Sequence, residues 1–314
     1  MSMIPLFGYH MPSFSFPGLP PERLFDRVVE LAQAAESAGF DLVTVMDHFY
    51  QIAIVAPETE PMLEAYATLA ALAQVTSRVR LGTLVSGVTY RNPALLAKSV
   101  TTLDTISRGR AVLGIGAAWN DAEHVGYGYE FPPIGERMDR LGEALAIARR
   151  MFTEERPSYS GRYYRIERAL NVPRPLQSGG PKILVGGGGE QRTLRLAAEY
   201  ADLTHWFVAS PEEFTRKLGV LEGHCRAVGR DPATLVKTIG APVWLVRDEQ
   251  EADAAAERIP PARRSLMRPA GPERAAEILH AFLRVGVQGF TFNNPNLTTP
   301  ELLDVAGRVK RLLG

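Results

Sequence analysis

The chain has 314 residues, and its 35 Lys and Arg balance 35 Asp and Glu to a formal net charge of zero. That balance excludes the basic field by which proteins capture nucleic acids, while the length suits one closed α/β barrel of about 250 residues with insertions. The single cysteine, Cys225, has no partner for an intrachain disulfide, no run reaches the roughly 18 apolar residues of a membrane span, and Met1 to Pro20 carries no leader pattern; the expectation is a soluble, unprocessed, cytoplasmic protein.

Along the chain, short apolar runs alternate with amphipathic stretches, the pattern of repeated βα units. The first predicted strand is Ile4 to Gly8, followed by Pro12 to Pro20, too rich in Pro and Phe for a regular element. Pro21 then opens a helix in which Leu24, Val28, Leu31 and Ala35 recur at i, i+4, i+7 and i+11. The second strand, Asp41 to Met46, leads to a helical segment opened by Pro61 and ending near Thr76. The third, Val79 to Leu84, leads to a helix opened by Pro93 with Leu96, Val100 and Leu103 on one face. Behind the fourth, Ala111 to Ile115, the stretch Glu136 to Phe152 places Leu141, Leu145 and Ala148 together.

Between Ser158 and Pro175, the residues Tyr159, Gly161, Tyr163 and Tyr164 predict a small hairpin with an aromatic face. Strands five to seven are predicted at Lys182 to Gly186, Leu203 to Val208 and Val236 to Val246. The charged, Ala- and Pro-rich stretch Glu249 to Pro272 reads as an excursion of the kind that forms lids. The last strand is Gly289 to Asn293. A doubly wound open sheet shares this alternation, but eight units favour closure into a (β/α)8 TIM barrel with insertions at its C-terminal mouth, one domain spanning residues 1–314.

In a closed barrel the chemistry lies just beyond the C-terminal ends of the strands. Those positions offer Tyr9 and His10; Asp47, His48 and Phe49; Val85, Ser86 and Gly87; Gly116, Ala117, Trp119 and Asn120; Gly186 to Gly189; His205 and Trp206; and Asn293 and Asn294. No His-x-His pair ends the first strand, which argues against metal-dependent hydrolysis. Lys182 and Lys237 begin strands and Lys98 lies in a helix, which argues against a Schiff base, and no carboxylate pair suits glycoside hydrolysis. A bound cofactor remains. His124, His224 and His280 read as ordinary loop or helix residues, and Cys225 as a helical residue away from the mouth.

The run Gly186-Gly187-Gly188-Gly189-Glu190-Gln191-Arg192 lies between an apolar strand and a helix. Four residues without Cβ allow an anion to approach the backbone, the helix start favours negative charge, and Arg192 offers a charge-assisted contact. The competing reading is a tight turn and nothing more. The run matches neither the dinucleotide fingerprint nor the phosphate loop of nucleotide triphosphatases.

Taken together, five segments resemble the luciferase-like monooxygenase superfamily, and within it the branch of oxidoreductases that use the deazaflavin coenzyme F420. They are Asp47-His48-Phe49; Gly82-Thr83-Leu84-Val85 leading to Tyr90-Arg91-Asn92-Pro93; Leu113 to Asn120 with Glu123 and His124; Arg137 to Leu141; and Gly186 to Asp202. The resemblance implies that Asp47 and His48 lie beside the deazaflavin ring, His48 carrying a proton, and that a non-proline cis peptide near Leu84 and Val85 presses on the ring's back face. It also implies that Gly186, Gly187, Gly188, Gly189, Glu190 and Arg192 hold the cofactor's phosphate. In the flavin mononucleotide (FMN) branch that loop often contains serine.

The sugar-phosphate dehydrogenases of the family carry a catalytic glutamate after the fourth strand, where this chain has Gly116-Ala117-Ala118-Trp119-Asn120. That departure argues against sugar-phosphate oxidation, and Ala117, Trp119 and Asn120 are expected to touch the cofactor or shape the substrate pocket. The expected activity is hydride transfer between F420 and a small organic molecule, with a homodimer as the expected assembly and no metal. Two alternatives stay open: an FMN-dependent two-component monooxygenase of the same fold, and a cofactor-binding barrel without turnover. For His48 the alternative to proton transfer is an imidazole held by Asp47 or a backbone carbonyl.

Overall fold

A computed structural model describes residues 5–259 and 266–314. Ile4, the first residue of the predicted first strand, and residues 260–265 of the predicted excursion lie outside the described residues.

Eight strands form the barrel: β1 (Leu6–Met11), β2 (Leu42–Val45), β3 (Arg80–Thr83), β4 (Ala111–Gly116), β5 (Lys182–Gly186), β6 (Leu203–Trp206), β7 (Val236–Gly240) and β8 (Gly289–Phe292). All neighbours run parallel in the order β3-β2-β1-β8-β7-β6-β5-β4, and pairing of Leu81 with Ala111 joins β3 to β4 and closes the ring. A helix follows each strand: α1 (Leu24–Ser37), α2 (Ala65–Val75), α3 (Pro93–Ile106), α4 (Ile134–Thr153), α5 (Thr193–Tyr200), α6 (Pro211–Ala227), α7 (Pro272–Arg284) and α8 (Pro300–Leu313).

Three of these helices start with the same device, a capping side chain followed by proline at the first helical position. Asn92, Ser210 and Thr299 each accept backbone N–H groups of the first turn, before Pro93, Pro211 and Pro300. The cap satisfies donors that the helix leaves open, and proline lacks the N–H that would be orphaned there.

Strand alternation divides side chains between two cores. Outward positions such as Phe7, Tyr9, Val43, Ile115, Val185, Trp206, Ile239, Phe290 and Phe292 pack beneath the helices. Inward positions Leu6, Leu42, Val112, Leu184, Leu203 and Val236 fill the barrel floor. This parity moves two residues predicted at the mouth. Tyr9 lies within β1 and faces outward, its hydroxyl donating to the Leu297 carbonyl at 2.7 Å. Trp206 is fully buried against Phe214, with ring centroids 5.3 Å apart.

The predicted seventh strand is shorter than expected. β7 ends at Gly240, Pro242 offers no N–H to a ladder, and Val243–Leu245 leaves the barrel to pair in parallel with Arg268–Ala270. Between those two short strands, Glu249–Ala255 is helical. The hairpin forms where expected, with Tyr159 and Ser160 antiparallel to Ile166 and Arg165.

Under α1 and α8, Phe7 meets Phe40, Phe290 and Phe292 at centroid distances of 6.1, 6.2 and 5.2 Å. Because Phe290 is completely buried there, Phe290→Ala is expected to lower the unfolding free energy by about 3–5 kcal/mol in urea titrations. A loss below about 1 kcal/mol would mean that this cluster does not seal the β1–β8 seam.

Candidate active site

Above the barrel floor the inward positions become small, with Gly114 and Gly116 on β4, Gly186 on β5 and Gly240 on β7. They leave a cavity of about 600 Å³ open at the C-terminal mouth, lined among others by His10, His48, Leu84, Val85, Ala117, Trp119, Glu123, Gly186, Gly187, His205 and Asn293. That size suits a ring system and a small co-substrate. The peptide between Leu84 and Val85 is cis, the geometry that the resemblance implies. The Val85 side chain lies so close to β4 and β5 that a Cβ at Gly116 or Gly186 would come within 2.9 Å of it. Val85 therefore forms one wall of the cavity.

His48 stands at the end of β2, and its Nδ1 meets Glu123 Oε1 at 2.7 Å. Glu123 belongs to the short helix Ala122–Tyr127, is 1% exposed, and accepts the Phe49 N–H through its other oxygen at 2.8 Å. Both carboxylate oxygens are thus engaged, and the Nδ1 contact fixes the orientation of an imidazole that lines the cavity. The Trp119 ring lies edge-on to His48 at 5.8 Å, and Trp119 is 59% exposed at the rim.

Asp47 is buried, yet it does not line the cavity. Its carboxylate takes Arg91 as a fork, with Nε at 2.6 Å and Nη2 at 2.5 Å, and Arg91 also reaches Glu64. The Asp47 carbonyl accepts the Tyr90 hydroxyl at 2.5 Å. Burial, with the Asp47 and Glu123 carboxylates nearby, pushes that hydroxyl well above the usual tyrosine range, so it stays a donor. Asp47 thereby ties the end of β2 to the segment entering α3 and sets the backbone from which His48 projects. Asn120 is likewise outside the cavity lining; its carbonyl meets Nδ1 of the buried His124, whose Nε2 lies 2.6 Å from Thr89 Oγ1.

At the other side of the mouth the glycine run forms a bend between β5 and α5. Gly187 has φ of +110°, a conformation that glycine reaches and other residues rarely do. The carbonyls of Gly188 and Glu190 turn outward to Lys217 Nζ at 2.9 Å and His224 Nε2 at 2.8 Å, both on α6. Among the described residues, the N–H groups of Gly188, Gly189 and Glu190 donate to no hydrogen-bond acceptor. Side chains of the bend are committed elsewhere: Arg192 pairs with Asp139 and donates to the Gly135 carbonyl, and Glu190 pairs with Arg216. The bend offers an anion its backbone, with Lys217 close behind, while Arg192 anchors it to α4.

On β6, His205 is 3% exposed and sits Nδ1 to Thr238 Oγ1 at 3.1 Å. Burial pushes its pKa down to about 4. Sequence reasoning missed Glu123 as the partner of His48, and Lys217 and His224 as the clamp on the bend. Among the described residues no three His, Cys, Asp or Glu side chains gather as a metal site, and no helix is long and apolar enough to cross a membrane.

The model of the family described as luciferase-like monooxygenase matches residues 6–299, and the chain belongs to that family. An F420-dependent glucose-6-phosphate dehydrogenase of Nocardia farcinica is 30% identical over 320 residues, covering 90% of this chain and 91% of that protein. An uncharacterized protein of Mycobacterium tuberculosis is 31% identical over 216 residues, covering 64% of this chain and 74% of its own. Among solved structures, an F420-dependent secondary alcohol dehydrogenase in complex with an F420-acetone adduct matches with TM-score 0.80 at 21% identity, covering 99% and 100% of the two chains. EDTA monooxygenase from Chelativorans sp. BNC1 matches with TM-score 0.84 at 16% identity, covering 99% and 93%. At such identities the solved structures establish a shared fold.

A histidine buried as the neutral form makes folding stability pH-dependent. Because the folded value lies below the ordinary 6.5, the unfolded chain binds the extra proton between about pH 6.5 and pH 4, and stability falls as pH drops through that window. Urea titrations are expected to give wild type a loss over this window about 3 kcal/mol larger than that of His205→Leu. Parallel pH profiles would contradict the buried neutral imidazole.

Proposed function

We propose that this chain is an oxidoreductase that moves hydride between coenzyme F420 and a small organic substrate. The observation that carries the reading is the continuity of two features: a bend with three uncommitted backbone N–H groups, and a Val85-walled cavity reached through Gly186 and Gly187. A relative named for F420 dependence along 90% of this chain supports the same cofactor.

In this reading the N–H groups of Gly188, Gly189 and Glu190 hold the phosphate, as helix-start donors do, and Lys217 adds positive charge. Leu84, Val85, Ala117 and Trp119 would flank the ring. When bound, the coenzyme supplies the carbon that gives or accepts hydride. His48 holds the accompanying proton. Its Nδ1 donates to Glu123, so Nε2 is the nitrogen left to take a proton from substrate or return it, and the Glu123 carboxylate balances the positive charge that the ring then carries. Asp47 acts through backbone placement, and the apolar cavity wall excludes water.

Fluorescence titration is expected to show tight binding of F420 and much weaker binding of FMN, the reverse order favouring a flavin monooxygenase. His48→Ala is expected to slow turnover by 10²-fold or more, the usual order for loss of a proton-transfer group, with F420 affinity retained. Glu123→Gln should shift the pH profile of turnover while the cofactor still binds. Full activity of His48→Ala would remove the imidazole from the reaction, and tight binding without turnover over a broad substrate panel would leave a carrier.

A further inference from the structure

We propose that His205 is a specificity-determining residue, whose Nε2 accepts a hydrogen bond from a hydroxyl or N–H group on an otherwise apolar, uncharged ligand in the cavity. The inference rests on the proposed function only for the identity of the cofactor.

Three observations lead to it. The first fixes the tautomer. Thr238 spends its single hydroxyl proton on the Thr204 carbonyl at 2.6 Å, so at 3.1 Å it accepts from His205 and Nδ1 carries the hydrogen. Nε2 is then a lone pair. The second is that this lone pair has no hydrogen-bond partner among the described residues, although it is buried in a residue that lines the cavity. A buried acceptor left unpaired is destabilising, and that penalty is removed when a ligand supplies the donor. Burial also keeps the ring from taking a proton in place of that donor.

The third observation is the character of the surroundings. Ile52, Phe207, Val208, Leu266 and Met267 line the same cavity, and among its described lining residues none is Lys or Arg. Among the described lining residues a phosphate or carboxylate would find no cationic partner to offset its lost hydration, which disfavours it there. Polar groups in the lining include His10, His205 and Asn293, besides the His48–Glu123 pair, in which the carboxylate is already engaged by the imidazole and the Phe49 N–H. His10 is committed through Nδ1 to Thr44 Oγ1 at 3.0 Å, whereas the His205 Nε2 is buried without a partner on a residue that lines the cavity. This differs from the sugar phosphate in the name of the Nocardia relative, as does Ala117 in place of the family's glutamate.

The donor has two sources, the substrate or an N–H of the cofactor ring, and one experiment separates them. Full-length protein carrying ¹⁵N-labelled histidine is followed by long-range proton–nitrogen NMR, with His205→Leu assigning the signals. Probes are F420 alone, then cyclohexanol and benzyl alcohol beside their methyl ethers, then glucose-6-phosphate, each with and without F420. The free protein is expected to show His205 as the neutral Nδ1–H tautomer at neutral pH. The alcohols should move the Nε2 signal toward the hydrogen-bonded position, while the ethers and the sugar phosphate leave it in place. Wild type should prefer alcohol over ether on the order of tenfold, a preference that His205→Leu loses.

A shift with F420 alone, unchanged by alcohols, assigns the donor to the cofactor ring and supports the proposal from that source. A proton on Nε2 in the free protein overturns it, as does an Nε2 signal that neither F420 nor either alcohol moves further than the ethers do. An alcohol response in a protein that fails to bind F420 sinks the proposed cofactor and leaves the role of His205 standing.

Discussion

The site exists because several of the barrel's inward positions carry no side chain near the mouth. Leu6, Leu42, Val112, Leu184 and Leu203 fill the floor, and nearer the mouth Gly116, Gly186 and Gly240 leave space that packing would otherwise close. Val85 occupies part of that space, and its contact distances to Gly116 and Gly186 are too short for any side chain there. A methyl group at either position would force Val85 to move. The cavity shape and the wall that borders it are therefore one constraint, set by backbone packing of β3, β4 and β5.

Around that space, charges are paired so that few remain to interfere. Asp47 is consumed by Arg91, Glu190 by Arg216, and Arg192 by Asp139. These pairs brace loops, and their removal would leave an uncompensated charge in the case of buried Asp47. Glu123 is the exception in kind, since it is buried beside an imidazole that lines the cavity. The dyad places one exchangeable proton at an apolar wall, an arrangement suited to chemistry in which hydride and proton travel separately.

Much of this was legible in the sequence. All eight βα units were readable because parallel strands buried on both faces are continuous apolar runs and the intervening stretches carry apolar stripes, with Pro93 opening its helix as read, whereas the helix assigned to Pro61 begins at Ala65 behind a Glu64 cap. Strand alternation was harder to phase. Tyr9 and Trp206 looked like mouth residues, but β1 extends to Met11 and both side chains fall on the outward parity. The break in strand seven was signalled by Pro242 inside an apolar run. Asp47 and Arg91, 44 positions apart, met only in three dimensions, and so did His48 and Glu123, 75 apart. Glu123 was visible within a family-like segment, but its pairing required knowing that the helix after β4 folds back over the end of β2. Lys217 and His224 gave no local signal, because their role depends on how α6 packs against the bend.

The most direct measurement is a crystal structure of the chain with F420. The account requires the phosphate against the N–H groups of Gly188, Gly189 and Glu190, the ring over Val85, and His48 Nε2 facing the reacting carbon. A phosphate bound elsewhere, or a ring that leaves Val85 uncovered and lies away from His48, would contradict it.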